Sequence, residues 1–494
     1  MGAGIAQISA QAGLTVHLFD VRDGAALAAR DNIATTLGKL AQKGKISAAD
    51  AEAAVSRLVV SETLADLADC ELVIEAIVEQ LAAKQALLTD LETVVAAKCI
   101  LATNTSSLSV TKLASSCRYP ERVAGFHFFN PVPLMKIVEV VDGLATDSAV
   151  SDALLALAAR IGHRGVRAKD TPGFIVNHAG RAYGTEALKI VGECVASFSE
   201  IDRVLRESAG FRMGPLELFD LTGLDVSHPV MESIYNQFYQ EPRFRPSALT
   251  RQMLEGGRIG RKVGQGFYRY ESGKMIDPPP PQSVPKVDHL PPVWIGAEDD
   301  KDRDALVTVL QSLGATVEQG PRASEAALCL LAPYGYDATT ASALTGSDPR
   351  RTLCIDMLPG VANYRTLMTT PATDAAYRDA AHALFARDGV GVTVIHDSVG
   401  FVVQRTLAAI VNLACDMAQQ GIASADDIEE AVKLGLGYPQ GPLSLGDALG
   451  PARLNTILSR MLETTGDPRY RPSPWLRRRA ALGLSLRHQQ TVPA

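Results

Sequence analysis

Residues 1–20 read "MGAGIAQISAQAGLTVHLFD", and their order decides the fold. An alanine-rich helical run gives way to a Gly-Leu break, then to the β-rich "LTVHLF", then to an acid, Asp20. That succession is the latter part of a mononucleotide-binding βαβ unit, whose first strand and glycine loop are expected upstream of Met1. The alternation continues through residue 142. A charged helical stretch covers 24–45, "QLAAKQALLTDLETVV" is a further helix, and 147–161 is one more. "LVIEAIV", "CILATNTS", "RVAGFHFF" and "KIVEVVDG" are strands. Strands separated by helices imply crossover connections and a mainly parallel sheet, an α/β domain of Rossmann type.

A doubly wound sheet of this kind holds a dinucleotide at the carboxyl ends of its strands, with pyrophosphate on a helix N-terminus. The acid closing the second strand, about twenty residues past the glycines, accepts from the adenosine ribose hydroxyls. Asp20 stands at that place, which makes Gly2 the third glycine of the fingerprint. A carboxylate there repels a 2′-phosphate and favours NAD over NADP, with Arg22 pulling the other way. The plainer alternative, small residues before an ordinary strand end, stays open on this stretch alone.

A chain of 494 residues exceeds one core and predicts several domains. Apolar residues make up 47% and charged ones 21%, an ordinary globular balance. A net charge of −7 without long runs gives nucleic acid no footing. The seven cysteines are scattered, with no CxxC pair and no histidine cluster nearby, which predicts a reducing compartment and no metal site. No apolar run reaches membrane-spanning length and no export signal is recognisable, so a cytoplasmic protein without a membrane partner is expected.

From "DTPGFIVN" (170–177) the pattern turns helical and stays so until the glycine-rich "GRKVGQGFYRY". The proline-rich "DPPPPQSVPKVDHLPP" (277–292) permits neither helix nor strand. Beyond it "PVWIGAEDD", "AALCLLAP" and "TLCIDM" suggest a smaller α/β piece, and then the chain repeats itself. "GFIVNHAG" through "GPLELFD" at 173–220 matches "GFVVQRTL" through "GPLSLGD" at 400–447, with a constant offset of 227 residues. The expected organisation is a Rossmann-type domain over 1–156, a helical domain over 157–276, the proline-rich linker 277–292, a degenerate α/β segment over 293–396, a second helical domain over 397–480 and a tail, 481–494. The second helical copy is expected to pack on the first as an intramolecular pseudo-dimer that supplies no catalysis, with further homo-oligomerisation left open. His396, beside Asp397 in "VIHDSVGF", reads as a capping or surface pair.

The stretch "GFHFFNPVPLMKIVEVV" (125–141) carries the chemistry. A His at a strand end, two prolines that turn the chain and a Glu on the returning strand can bring His127 and Glu139 together. A carboxylate on one imidazole nitrogen fixes the tautomer and leaves the other nitrogen as a base for an alcohol proton.

With "NTSSLSVTKLA", "DTPGFIVN" and "MGPLELFDLTGLD" in the same order, the chain resembles the 3-hydroxyacyl-CoA dehydrogenases over residues 1 to about 270. Its duplicated helical domain, similar to the 6-phosphogluconate dehydrogenase C-terminal type, resembles their longer bacterial form. That form is associated with 3-hydroxyadipyl-CoA in phenylacetate degradation or with 3-hydroxybutyryl-CoA. The resemblance implies NAD as cofactor, an acyl-CoA as substrate, His127 as base and Glu139 as its orienting partner. It implies that Ser106 and Asn177 bond the reacting oxygen and hold the His, and that Asn130 places the thioester end. Glu79, Lys84 and Lys262 match NAD-contacting positions, and Lys39, Lys43 and Lys45 lie in the excursion that touches CoA. Relatives begin with a strand and a "GAGxMG" loop, so roughly a dozen further residues are expected before Met1. Two rivals remain at this level. One is another hydroxyacid dehydrogenase on the same fold, whose base would be a Lys. The other is an inactive or regulatory scaffold with an incomplete glycine loop.

Overall fold

The computed structural model describes residues 1–489, and residues 490–494 of the expected tail lie outside them. Residues 1–178 and 420–437 form one unit; 179–419 and the chain from 438 form the other.

In the first unit, helix Gly2–Gln11 leads into β1 (Val16–Leu18), which pairs in parallel with β2 (Leu58–Val60) after helices Ala25–Gln42 and Ala48–Ser56. A five-stranded sheet follows: β3 (Leu72–Glu75), β4 (Ile100–Thr103), β5 (Val123–Phe128), β6 (Ile137–Asp142) and β7 (Arg164–Lys169), in that spatial order. Neighbours are parallel except β5 and β6. Successive residues feed opposite faces, as the two-residue period of a strand requires. Ala102, Phe126, Phe128, Val138 and Val140 pack with Ile5, Ile8 and Leu154. Leu101 and Val123 pack on the other face with Leu88, Leu91 and Leu113. Helices on both faces make the sheet doubly wound, as the alternation predicts.

The expected boundary at 156 is corrected. It falls inside helix Ser148–Arg160, which packs on β7, and β7 pairs with β6 along its whole length. A second correction concerns helix Ala425–Leu436. It comes from the second repeat, yet it belongs to this first unit, where it packs on β6 and β7.

The second unit carries the helices of the first repeat from Arg181, a hairpin of β8 (Arg269–Glu271) and β9 (Lys274–Ile276), and then the proline-rich stretch without helix or strand. Next comes a second five-stranded sheet of β10 (Val293–Ala297), β11 (Leu328–Ala332), β12 (Thr352–Ile355), β13 (Tyr364–Thr369) and β14 (Gly391–Ile395). Its order and its single antiparallel pair, β12 with β13, reproduce the first sheet. The duplication is therefore wider than the helical repeat that the sequence displays.

Within this unit helix Val402–Gln419 packs along helix Arg181–Gly192, the pairing expected of a pseudo-dimer. A buried ionic cluster joins them: Arg405 Nε meets Glu186 Oε1 at 2.8 Å, and Tyr470 donates its hydroxyl to the same oxygen at 2.8 Å. The stretch after 480 is no loose tail up to residue 489. Trp475 Nε1 donates to Leu486 O and Leu486 N donates to Asp447.

Candidate active site

His127 lies on β5 and Glu139 on β6, and the antiparallel register sets them directly opposite. Their side chains meet at 2.6 Å, Nδ1 to Oε2, with Glu139 fully buried and His127 5% exposed. An ionised carboxylate only accepts, so Nδ1 carries the proton and Nε2 is left with a free lone pair. Phe129 and Phe174 flank the ring.

The other oxygen of Glu139 accepts from two backbone amides, Ile175 at 2.9 Å and Val176 at 2.8 Å. The chain reaches that position through two successive left-handed residues, Gly173 (φ 79°) and Phe174 (φ 48°). Phe174 is a bulky residue in a region that sterics disfavour, and it sits beside the reactive histidine. Val176 opens the short helix Val176–Ala179, which carries Asn177. Glu139 thus ties the base to the segment holding Asn177.

Ser106 lies past the carboxyl end of β4, next to the strand that carries His127. Its loop is organised by Glu79, whose Oε1 accepts from Thr105 Oγ1 at 2.6 Å, Ser106 N at 2.9 Å and Ser107 Oγ at 3.0 Å. Burial raises the Glu79 carboxyl, but the Thr105 hydroxyl, the Ser106 amide, Lys84 and the Ser107 hydroxyl outweigh it and hold it below the ordinary range. Lys84 is 1% exposed, bonded to both oxygens of Glu75 at 2.8 Å and 3.3 Å from Glu79. Lys84 thus bridges Glu75 to Glu79 beneath the Ser106 loop.

Three polar groups of this site escaped the sequence reading. Asn104 Oδ1 accepts from Phe128 N at 2.8 Å and so fastens the Ser106 loop to the His127 strand. Asp170 accepts from Ser109 Oγ and from the amides of Val110 and Thr111, holding the start of helix Val110–Ala114. Glu75, an acid ending an otherwise apolar strand, was the one legible signal.

Toward a dinucleotide, the first unit offers a fitting set. Helix Gly2–Gln11 has Met1 at its N-cap position, with no side-chain cap bond. A side chain at Gly2 would meet only Ala76 at 3.8 Å, whereas at Gly4 it would strike Val132 at 2.9 Å, so Gly4 is the residue that close packing demands. Asp20 follows β1, its carboxyl held low by the Arg22 side chain and amide. Asn130 is exposed just beyond His127, before a cis Asn130–Pro131 bond. Lys39 and Lys43 are exposed at the end of helix Ala25–Gln42. Lys262 belongs to the second unit, where it pairs with Asp225.

The second sheet keeps the scaffold and replaces the chemistry. Asp397 repeats Asp170, accepting from Ala338 N and Thr339 N at the start of helix Ala338–Thr345, so the capping reading holds for the aspartate. Asp356 bonds its backbone amide to Thr366, the register place of the His127–Glu139 pair. Gln404, the counterpart of Asn177, donates to Pro333 O and Asp356 Oδ1 and accepts from Gly335 N. Burial pushes the Asp356 carboxyl up to about 7. No base–acid dyad is left there.

A doubly wound sheet with a buried His–Glu pair on adjacent antiparallel strands is the arrangement of an NAD-dependent dehydrogenase. The family model for the 3-hydroxyacyl-CoA dehydrogenase NAD-binding domain matches residues 1–171, and that for the C-terminal domain matches 173–270 and again 400–491. The chain belongs to the 3-hydroxyacyl-CoA dehydrogenase family. It is 38% identical over 483 residues to 3-hydroxyadipyl-CoA dehydrogenase of Escherichia coli K12, covering 98% of this chain and 96% of that one. A crystal structure of 3-hydroxybutyryl-CoA dehydrogenase from Escherichia coli K12 is similar over 98% of this chain and 96% of its own, with TM-score 0.84 and 36% identity. One of (S)-3-hydroxybutyryl-CoA dehydrogenase from Ralstonia eutropha covers 55% of this chain and 96% of its own, with TM-score 0.54 and 39% identity.

Proposed function

We propose that His127 is the general base in NAD-dependent oxidation of a (3S)-3-hydroxyacyl-CoA to the 3-oxoacyl-CoA. The 2.6 Å bond from Nδ1 to a fully buried Glu139 carries this reading. His127 Nε2 takes the proton of the C3 hydroxyl as the C3–H bond breaks. Bound NAD supplies the hydride acceptor. Glu139 holds the imidazole in the productive tautomer and stabilises the imidazolium that forms. Ser106 and Asn177 bond the reacting oxygen, and Asn130 places the thioester end. Gly2, Asp20 and Glu79 serve the cofactor, and Lys39 and Lys43 meet the phosphates of CoA. With relatives of similar length named for 3-hydroxyadipyl-CoA and 3-hydroxybutyryl-CoA, these are the first substrates to try, in fatty-acid or phenylacetate-type degradation. Seven free thiols suit a reducing cytoplasm; among the described residues no helix is long and apolar enough to cross a membrane.

The test is NADH formation with each thioester by the full chain. Turnover of one or both supports the reading, and turnover of neither contradicts it.

A further inference from the structure

Helix Ala425–Leu436 has a glycine, Gly435, at its next-to-last position. Glycine is the poorest helix former short of proline, so its presence there needs a reason. The reason is steric. A Cβ at Gly435 would lie 2.7 Å from Val176 Cγ2 and 3.0 Å from Cγ1. Those are the stiff branches of a β-branched side chain that is 2% exposed, so they have little room to yield. Val176 is the residue whose amide bonds Glu139 Oε1 at 2.8 Å.

The start of the helix is fixed independently. Ser424 caps it, Asp427 pairs with Arg164 of β7 at 3.3 Å, and Lys169 N donates to Ile422 O at 2.8 Å just before it. One end of the helix is therefore pinned to the sheet, and the other presses, through a missing side chain, on the segment that holds Glu139. The corresponding residue of the first repeat is Ser208.

We propose that Gly435 is a positioning residue for the reaction: the second repeat's helix seats against Val176 and thereby fixes the amides that hold Glu139 in line with His127. The second repeat supplies no reacting group, but the catalytic unit is incomplete without this helix. The inference rests on the His127–Glu139 reading.

The test uses the full chain, Gly435→Ala, Val176→Ala and the double variant. Alanine is the better helix former, so intrinsic helix loss does not explain any defect. Gly435→Ala is expected to lower kcat about tenfold with KM for NAD unchanged, since small misplacements of a reacting geometry are costly. It is also expected to lower hydrogen-exchange protection at the amides of Ile175 and Val176 while leaving Val140 on β6 protected. Adding Val176→Ala should restore both turnover and protection. Lost turnover without lost protection, unaltered protection, or failure of the double variant to recover would overturn the proposal. Exchange protection is read without substrate, so it stands apart from the dyad reading, which fails separately if His127→Ala retains turnover.

Discussion

Glu139 gives one carboxylate oxygen to His127 and the other to the amide of Val176, so a single side chain serves two sets of donors. Only a carboxylate can do this. In Glu139→Gln, if the amide oxygen faces His127, the NH2 group confronts the amides of Ile175 and Val176, donor against donor. If it faces the amides instead, the NH2 group confronts Nδ1, which must then accept, and the proton moves to Nε2, where the base should be. Either way Glu139→Gln is expected to lose about 10²–10⁴-fold in kcat. Stability should fall by about 1–3 kcal/mol as buried donors lose their acceptor. Turnover within a few-fold of the parent would refute the arrangement.

Coenzyme choice should turn on Asp20. Its carboxylate is bonded by Arg22 through the backbone amide at 3.0 Å and the guanidinium at 3.1 Å. Asp20→Ala removes the ribose acceptor and frees a guanidinium for a 2′-phosphate. KM for NAD should rise and the preference over NADP should narrow. Adding Arg22→Ala should then weaken NADP again. An unchanged ratio of kcat/KM for the two coenzymes would move the discrimination elsewhere.

Asp356 should make stability depend on pH. Its folded value is raised from 3.8 to about 7 by burial. Between those values the native state holds a proton that the unfolded chain has released, so stability falls as pH rises through this window and levels off above it. Asp356→Asn can still accept from Gln404 without carrying a charge. Its stability advantage over the parent, read from urea unfolding, should be small near pH 4 and reach the order of 4 kcal/mol at pH 8. An advantage that did not grow with pH would mean that Asp356 ionises normally.

Arg405 is 2% exposed and its guanidinium also meets Glu193 Oε2 at 2.5 Å and Tyr470 at 3.0 Å. Arg405→Ala should cost about 3 kcal/mol, because the buried Glu186 loses its nearest cation and keeps only Arg469 at 3.4 Å and the Tyr470 hydroxyl. Pairing Arg405→Met with Glu186→Gln should recover much of that loss. Recovery would show up in thermal unfolding as a Tm for the pair above that of Arg405→Ala; no recovery would place the loss in packing.

The dyad was legible because the proline turn between two strands fixes which residues face each other, and "HFFNPVPLMKIVEVV" states that turn outright. The second sheet was legible as a smaller α/β piece, since β10, β11 and β12 fall in apolar runs, but its kinship with the first sheet was not. Its sheet register survived while the residues carrying chemistry changed, Asp356 and Thr366 standing where His127 and Glu139 stand. Burial by tertiary packing also left no trace in sequence. Lys84 reads like any helix-surface lysine until Glu75 is found beneath it. Nor does local pattern reveal that helix Ala425–Leu436 serves the first sheet rather than its own, because its amphipathic face would suit either.

The most direct measurement is turnover of His127→Ala against the parent, with NAD and the better of the two thioesters, and with NAD affinity measured alongside. A fall in kcat of about 10²–10⁴-fold with NAD affinity unchanged is expected, since the variant loses the proton acceptor and not the nucleotide site. Near-parental kcat, or a loss traceable to NAD affinity alone, would contradict His127 as the base.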